Sequence, residues 1–139
     1  FYECSSLPVE NNLRYADTYL VEAVDKTLST YSIKEGTKWI GYSAFRDCSS
    51  LTSINIPNSV TSIGSWAFFS CSALTSITIG SSVANIENNA FLNCYSLTEI
   101  DLEIARPLTT TMHKSHRASQ DNYVSNLFIK NDIKKADPL

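Results

Sequence analysis

The sequence has few of the residues that usually mark loops, with only four glycines and four prolines in 139 residues. Turns must therefore be made largely by serine, threonine and asparagine, whose short side chains hydrogen-bond to the nearby backbone. No apolar run approaches the roughly 20 residues of a transmembrane helix, and no basic segment followed by an apolar one marks a signal peptide. Because the chain starts at Phe1, we expect a mature or excised form without its targeting signal.

Positive charge is also scarce, since 11 Lys and Arg stand against 14 Asp and Glu, for a net charge of −3. Proteins that bind nucleic acids usually carry a basic surface, so this balance argues against a nucleic-acid partner. The content of 43% hydrophobic and 18% charged residues is typical of a globular protein. The length fits one domain, which we take to be residues 1–139.

The sequence does contain a repeat with a period of 23 residues. Residues 40–62 read IGYSAFRDCSSLTSINIPNSVTS, residues 63–85 read IGSWAFFSCSALTSITIGSSVAN, and residues 86–102 read IENNAFLNCYSLTEIDL. Eight apolar columns align, the first being Ile40, Ile63 and Ile86. A unit this short cannot bury its own apolar face, so the units must stack as coils around one continuous core.

Each unit predicts the same local structure. The segment Leu51–Ile56 predicts a strand that pairs in parallel with 74–79 and 97–102, about 4.8 Å away. Leu51, Ile54 and Ile56 should point inward and the residues between them outward. A second extended segment at 60–63 and a tight helical or 3₁₀ turn at 44–48 complete the coil.

The two ends of the chain predict atypical units. Residues 1–7 match residues 45–51, so residues 1–39 predict a partial repeat, with an inserted β-hairpin formed by 19–24 and 28–33. Repeats 40–62, 63–85 and 86–102 follow, and residues 103–139 predict a C-terminal cap with a last strand within 123–130. An open first repeat exposes strand edges, so we expect self-association through that end.

The units resemble the BspA-like, Treponema-type leucine-rich repeats, whose pattern is I-G-x-x-A-F-x-x-C-x-x-L-x-x-I-x-I-P-x-x-V-x-x. The resemblance covers Ile40–Leu102 closely, with Phe1–Leu7 and Leu28–Trp39, and Leu127–Leu139 looks like a degenerate closing segment of that family. It implies a mostly β leucine-rich-repeat solenoid with a parallel strand ladder. It also implies a bacterial, secreted or cell-surface protein that acts in adhesion, without catalysis and without a cofactor.

The cysteines form one column, in which Cys4 joins Cys48, Cys71 and Cys94. Side chains that point in parallel do not converge as a disulfide requires, and a free cysteine packs well as a small apolar residue. Buried reduced thiols are therefore favoured over a single disulfide. A zinc site is the least favoured, since no C-x₂₋₄-C pair is present.

The two histidines, His113 and His116, have a spacing that can place both on one helical face and bind a metal. With Ser115 and Asp121 they also suggest a nucleophilic triad, but no G-x-S-x-G turn or similar context supports it. A polar loop is the favoured interpretation, and we expect neither a metal site nor an enzyme.

Two sets of residues are candidates for binding a partner. The first is the outward face of the predicted strands, which becomes acidic at its C-terminal end and so favours a basic partner in a salt-sensitive way. The second is a group of aromatic residues outside the repeat columns, a residue type enriched at interfaces. The strand-face candidates are Thr52, Ser53, Asn55, Thr75, Ser76, Thr78, Thr98, Glu99 and Asp101. The aromatic candidates are Trp39, Tyr42, Trp66, Phe69 and Tyr95.

Both sets have simpler interpretations, as polar filler facing solvent and as local packing against the hairpin. The function favoured by the resemblance is an extracellular adhesion module that binds a protein, such as a host matrix protein or another cell-surface protein. The alternatives are a glycan-binding module whose aromatic residues stack on sugars, and a structural spacer in a larger surface protein.

Overall fold

The computed structural model describes residues 4–103; residues 1–3 and 104–139 lie outside the described part. The chain winds as stacked coils whose strands form two sheets, preceded by a single 3₁₀ turn at Cys4–Ser6. The larger sheet contains β1 (Val9–Glu10), β2 (Leu13–Ala16), β3 (Tyr19–Ala23), β4 (Trp39–Ile40), β6 (Ser62–Ile63) and β8 (Asn85–Ile86). The smaller sheet contains β5 (Ser53–Ile56), β7 (Ser76–Ile79) and β9 (Glu99–Leu102).

The predicted parallel ladder is confirmed, and its register is that of the sequence repeat. In the smaller sheet Ile54 pairs with Ile77, and Ile77 with Ile100. In the larger sheet Ile40 pairs with Ile63, and Ile63 with Ile86. Each residue therefore lies beside its equivalent 23 positions away in the next coil.

Most of the core consists of the repeat columns, whose residues are buried in every coil. Phe68 is fully buried and lies between Phe45 and Phe91, with ring centroids 5.0 and 5.2 Å away and interplanar angles of 4° and 0°. Tyr31 packs on the other side of Phe45 at 5.3 Å and a tilt of 56°, which ends the stack. The inward positions predicted for Leu51, Ile54 and Ile56 are likewise confirmed, since all three are buried.

An N-terminal hairpin is present, but its strands differ from those predicted. β3 pairs antiparallel with β2 across a turn at residues 17–18, and its other edge pairs in parallel with β4. Both edges of β3 are thus used, so the segment 28–33 forms no strand against it. That segment instead contributes Tyr31 and Ile33 to the core, after Asp25 accepts hydrogen bonds from the backbone N–H and the hydroxyl of Thr27 at 2.9 and 2.6 Å.

The helical or 3₁₀ turn predicted at 44–48 is not confirmed. The segment is a series of tight turns, with N–H to C=O hydrogen bonds from Ala44 to Gly41, from Arg46 to Ser43 and from Cys48 to Phe45 at 3.1–3.2 Å. Ser43 and Asp47 have φ of 56° and 62°. A right-handed helix cannot contain such residues, and each later coil repeats the same two positive φ values.

The two ends leave two predictions open. The antiparallel β1–β2 pair lies along the N-terminal edge of the larger sheet, and self-association through this end stays a prediction. The C-terminal cap, its strand within 123–130, and His113, Ser115, His116 and Asp121 lie outside the described residues.

Candidate functional site

The outer surface of the smaller sheet is built by the alternation of side chains along β5, β7 and β9. Isoleucines and leucine at every second position point into the core, so the residues between them point outward. The register places these outward residues in two rows across the sheet. We call this surface the strand face; it consists of Ser53, Ser76 and Glu99 in one row, and Asn55, Thr78 and Asp101 in the other.

Three of the predicted strand-face residues serve the scaffold. Thr75 donates hydrogen bonds from both its backbone N–H and its hydroxyl to the carbonyl oxygen of Thr52, at 2.9 and 3.1 Å. Thr52 binds Ser29 O in the same way, and Thr98 binds Thr75 O. These threonines tie each coil to the one before it, so their hydroxyls are engaged within the chain, and their role toward a partner stays a prediction.

The strand face is uncharged on the first two coils and acidic on the third. Glu99 and Asp101 are exposed, and so is Glu103 just beyond β9. Two residues apart on one strand, Glu99 and Asp101 point to the same side and are separated by about 6.6 Å. Like charges at that spacing repel each other, and within residues 4–103 neither carboxylate has an ion-pair or hydrogen-bond partner. In the described part of the chain, neither carboxylate therefore contributes a contact to the scaffold.

The aromatic candidates fall in three separate places, the first being the outer side of the larger sheet. Trp39 is 45% exposed and Tyr42 is 62% exposed. Trp39 pairs in register with Tyr19, whose hydroxyl accepts a hydrogen bond from the backbone N–H of Tyr42 at 3.3 Å. Sequence reasoning missed Tyr19, because it assigned this strand to a different hairpin.

The other aromatic candidates lie on the connections between the sheets. Trp66 and Phe69, between β6 and β7, are half-buried and contact each other edge to face, with centroids 5.0 Å apart at 72°. The guanidinium of Arg46 lies 4.9 Å from the centroid of Phe69. Tyr95, between β8 and β9, is 76% exposed and donates a hydrogen bond to the side chain of Asn93 at 2.8 Å.

The cysteines are structural in the described part of the chain. Cys48, Cys71 and Cys94 are free and buried, as predicted; the side chain of Cys4 is not described. The thiol of Cys71 donates to Phe45 O at 3.1 Å, and that of Cys94 to Phe68 O at 3.0 Å. Burial, followed by repulsion from Cys71, raises the pKa of the Cys48 thiol to about 11. The Cys48 thiol therefore stays protonated, and the thiols of Cys71 and Cys94 bond neighbouring coils together.

Within residues 4–103 no three His, Cys, Asp or Glu side chains lie close enough together to hold a metal ion. The same part of the chain contains no helix that is long and apolar enough to cross a membrane. The candidate sites that remain there are the strand face and the aromatic groups.

Comparisons with known proteins found one matching family model and two similar solved structures. The model of the BspA type leucine rich repeat region matches six copies over residues 19–135. The crystal structure of a leucine-rich-repeat protein from T. pallidum is similar to the chain with 25% identity and a TM-score of 0.60, over 68% of this chain and 49% of that one. A leucine-rich cell surface protein from Faecalibacterium prausnitzii is 21% identical over 80% of this chain and 42% of that one, at a TM-score of 0.41.

The chain thus spans less than half the length of either solved protein. No curated protein matches it.

Proposed function

Because the chain belongs to the BspA-type leucine-rich-repeat family, we propose that it is an extracellular, non-catalytic binding module that recognises a protein through its strand face. The proposal rests on the observation that the side chains along β5, β7 and β9, and those just before them, fall into three sets with different contacts. Inward side chains fill the core, the preceding threonines bond the coils together, and the side chains of the six strand-face residues make no hydrogen bond or ion pair within residues 4–103. Extended, regularly spaced surfaces of this kind are what solenoid proteins use to bind partners.

The charge distribution supports a partner with a basic segment. The face changes from Ser53 and Asn55 at its N-terminal side to Glu99 and Asp101 at its C-terminal side. Unpaired carboxylates speed encounter with a positively charged surface and select against acidic partners. A host matrix protein or another cell-surface protein with exposed lysine or arginine clusters fits these properties.

The repeat supplies a variant that tests the proposal without disturbing the fold. Glu99→Ser together with Asp101→Thr gives β9 the outward residues that β7 already carries, Ser76 and Thr78. The matched control is Asp17→Asn with Glu35→Gln, which removes two exposed charges elsewhere. Binding to immobilised laminin, collagen and fibronectin is measured by biolayer interferometry at low and physiological salt.

We expect the original chain to bind at least one of these proteins and the β9 variant to bind it at least about tenfold more weakly, a loss of about 1.4 kcal/mol. The variant should also lose much of the salt dependence, whereas the control pair should keep it. Equal binding by the original chain and the β9 variant would contradict the assignment of the strand face. Failure to bind any member of the panel would favour the spacer function.

A further inference from the structure

Trp66 occupies a backbone conformation that suits other residues better. Its φ is 62°, and the equivalent positions in the neighbouring coils, Ser43 and Asn89, have φ of 56° and 60°. This left-handed region favours glycine and asparagine and costs free energy for a bulky side chain. Ser43 and Asn89 show that the fold does not need a tryptophan at this position, and Trp66 lowers the stability of the fold through its backbone strain. Strained residues of this kind cluster at functional sites.

The indole of Trp66 is held by a second residue that also departs from its column. Phe69 stands where the neighbouring coils have Arg46 and Leu92, and it meets Trp66 edge to face at 5.0 Å. Arg46 lies 4.9 Å over Phe69 and is itself paired with Asp47 at 3.7 Å. The position of the indole is therefore fixed in advance, which lowers the entropic cost of binding a ligand on it.

The coil that carries this pair has no charge. Between Asp47 and Glu87 the sequence contains no Asp, Glu, Lys, Arg or His. The polar side chains next to the pair along the chain are the hydroxyls of Ser65 and Ser70, and the same turn in the next coil carries Asn88 and Asn89. The nearest charges beside the pair are those of Arg46 and Asp47, which pair with each other at 3.7 Å. No unpaired charge of this coil therefore attracts an anion or a cation, and the matching ligand is neutral.

We propose that Trp66 and Phe69, on a coil that carries no charge of its own, form a binding site for a neutral oligosaccharide. The C–H face of a sugar ring packs on an aromatic ring, and its hydroxyls bond with hydroxyl and amide side chains such as those of Ser65 and Asn88. The small area favours this ligand over a protein, because a stable protein interface buries about 800 Å² on each partner and this pair is half-buried. The site lies between β6 and β7, so it is separate from the strand face and does not depend on the proposed function.

The test uses variants taken from the neighbouring coils. Trp66→Asn and Phe69→Leu introduce the residues of the third coil, Asn89 and Leu92. The control Tyr95→Ser removes the most exposed aromatic residue of the described part and introduces the residue found at Ser49 and Ser72. Binding of soluble tetrasaccharides of chitin, cellulose, laminarin and mannan is measured by calorimetry, and the NMR signal of the Trp66 indole N–H is followed during each titration.

We expect one of these neutral tetrasaccharides to bind, to shift the indole signal of Trp66, and to bind equally well at about 50 and 500 mM salt because the ligand carries no charge. Trp66→Asn should weaken binding at least tenfold, Phe69→Leu should weaken it less, and Tyr95→Ser should leave it within twofold. The melting temperature of Trp66→Asn should equal or exceed that of the original chain, since asparagine accepts the left-handed backbone.

Three results would overturn the proposal: no binding by any neutral tetrasaccharide, equal binding by Trp66→Asn, or binding at this surface only by an anionic sugar or an unglycosylated protein. The β9 variant of the strand face should leave sugar binding unchanged. Loss of protein binding and loss of sugar binding therefore report on separate surfaces, and either proposal can fail alone.

Discussion

Replacing Phe68 with alanine is expected to lower the free energy of unfolding by about 3–5 kcal/mol. Phe68 is fully buried, and both faces of its ring are covered, by Phe45 at 5.0 Å and Phe91 at 5.2 Å. The change removes the middle ring of the column and leaves a cavity between two coils. Each coil of a solenoid is stabilised by its neighbours, so the substitution removes packing contacts from two coil interfaces at once.

Urea denaturation with linear extrapolation measures this effect. Phe68→Leu keeps most of the volume and should cost less than about 1.5 kcal/mol. Tyr95→Ser, on the surface, should stay within about 0.5 kcal/mol of the original chain. If Phe68→Ala cost no more than Tyr95→Ser, the continuous phenylalanine column would not be what holds the coils together.

Alkaline pH is expected to destabilise the protein strongly from about pH 9 upward. Burial raises the pKa of Cys48 to about 11, and a hydrogen bond with Cys94 together with burial raises that of Cys71. Burial also raises the pKa values of Tyr15 and Tyr31. In the unfolded chain thiols ionise near about pH 8.5 and tyrosines near about pH 10, so over this range the unfolded state loses protons that the folded state keeps.

The free energy of unfolding should fall as pH rises, because protonation and folding are linked. Stability from a group with a raised folded pKa is fully present below its unfolded pKa and declines as pH rises toward the folded value. Each such group costs about 1.4 kcal/mol per pH unit, so Cys48 and Cys71 together should cost roughly 5 kcal/mol by about pH 10.5. The later ionisation of the two tyrosines adds to this loss.

The measurement is the free energy of unfolding in urea at about pH 7, 8.5, 9.5 and 10.5, with a reductant present. The control replaces Cys48 and Cys71 with alanine, which lowers stability at every pH but should flatten the decline between about pH 8.5 and 10. A decline of the same slope in this variant, or no decline in the original chain, would show that the thiols are not protonated structural groups.

The core could be predicted from the sequence because a solenoid repeats each environment every 23 residues. A column such as Phe45, Phe68 and Phe91 is recognisable without knowledge of any single contact, since only stacking buries it. The strand register and the reduced cysteines Cys48, Cys71 and Cys94 follow from the same periodicity. Each of these features depends on the spacing of residues alone.

The hairpin and the turns could not be predicted because they depend on which edge of a strand is free and on local backbone angles. The runs 19–24 and 28–33 are both rich in β-forming residues, and composition does not reveal that β3 already pairs with β2 and β4. At Ser43 and Asp47 the positive φ values prevent the helical turn that the compact spacing had indicated.

Two sequence signals mark the candidate sites, whose binding roles stay predictions. Trp66 and Phe69 depart from the repeat columns, whereas Glu99 and Asp101 occupy outward positions of a strand. The hydrogen bonds of the threonine hydroxyls could not be predicted, because Thr75 and Thr78 look equivalent in the sequence. Of these two, only Thr75 donates its hydroxyl to the coil before it. The absence of charge between Asp47 and Glu87 is a signal that was available in the sequence and was missed.

The central claim is that a protein partner meets the strand face while the repeat columns stay undisturbed. Backbone NMR mapping tests it most directly: the ¹⁵N-labelled chain is titrated with the matrix protein fragment that binds it. We expect shifts and broadening concentrated on residues 53–56, 76–79 and 99–103, with the strands β4, β6 and β8 of the larger sheet unaffected. Changes centred on the larger sheet, or spread evenly through the core, would contradict the claim.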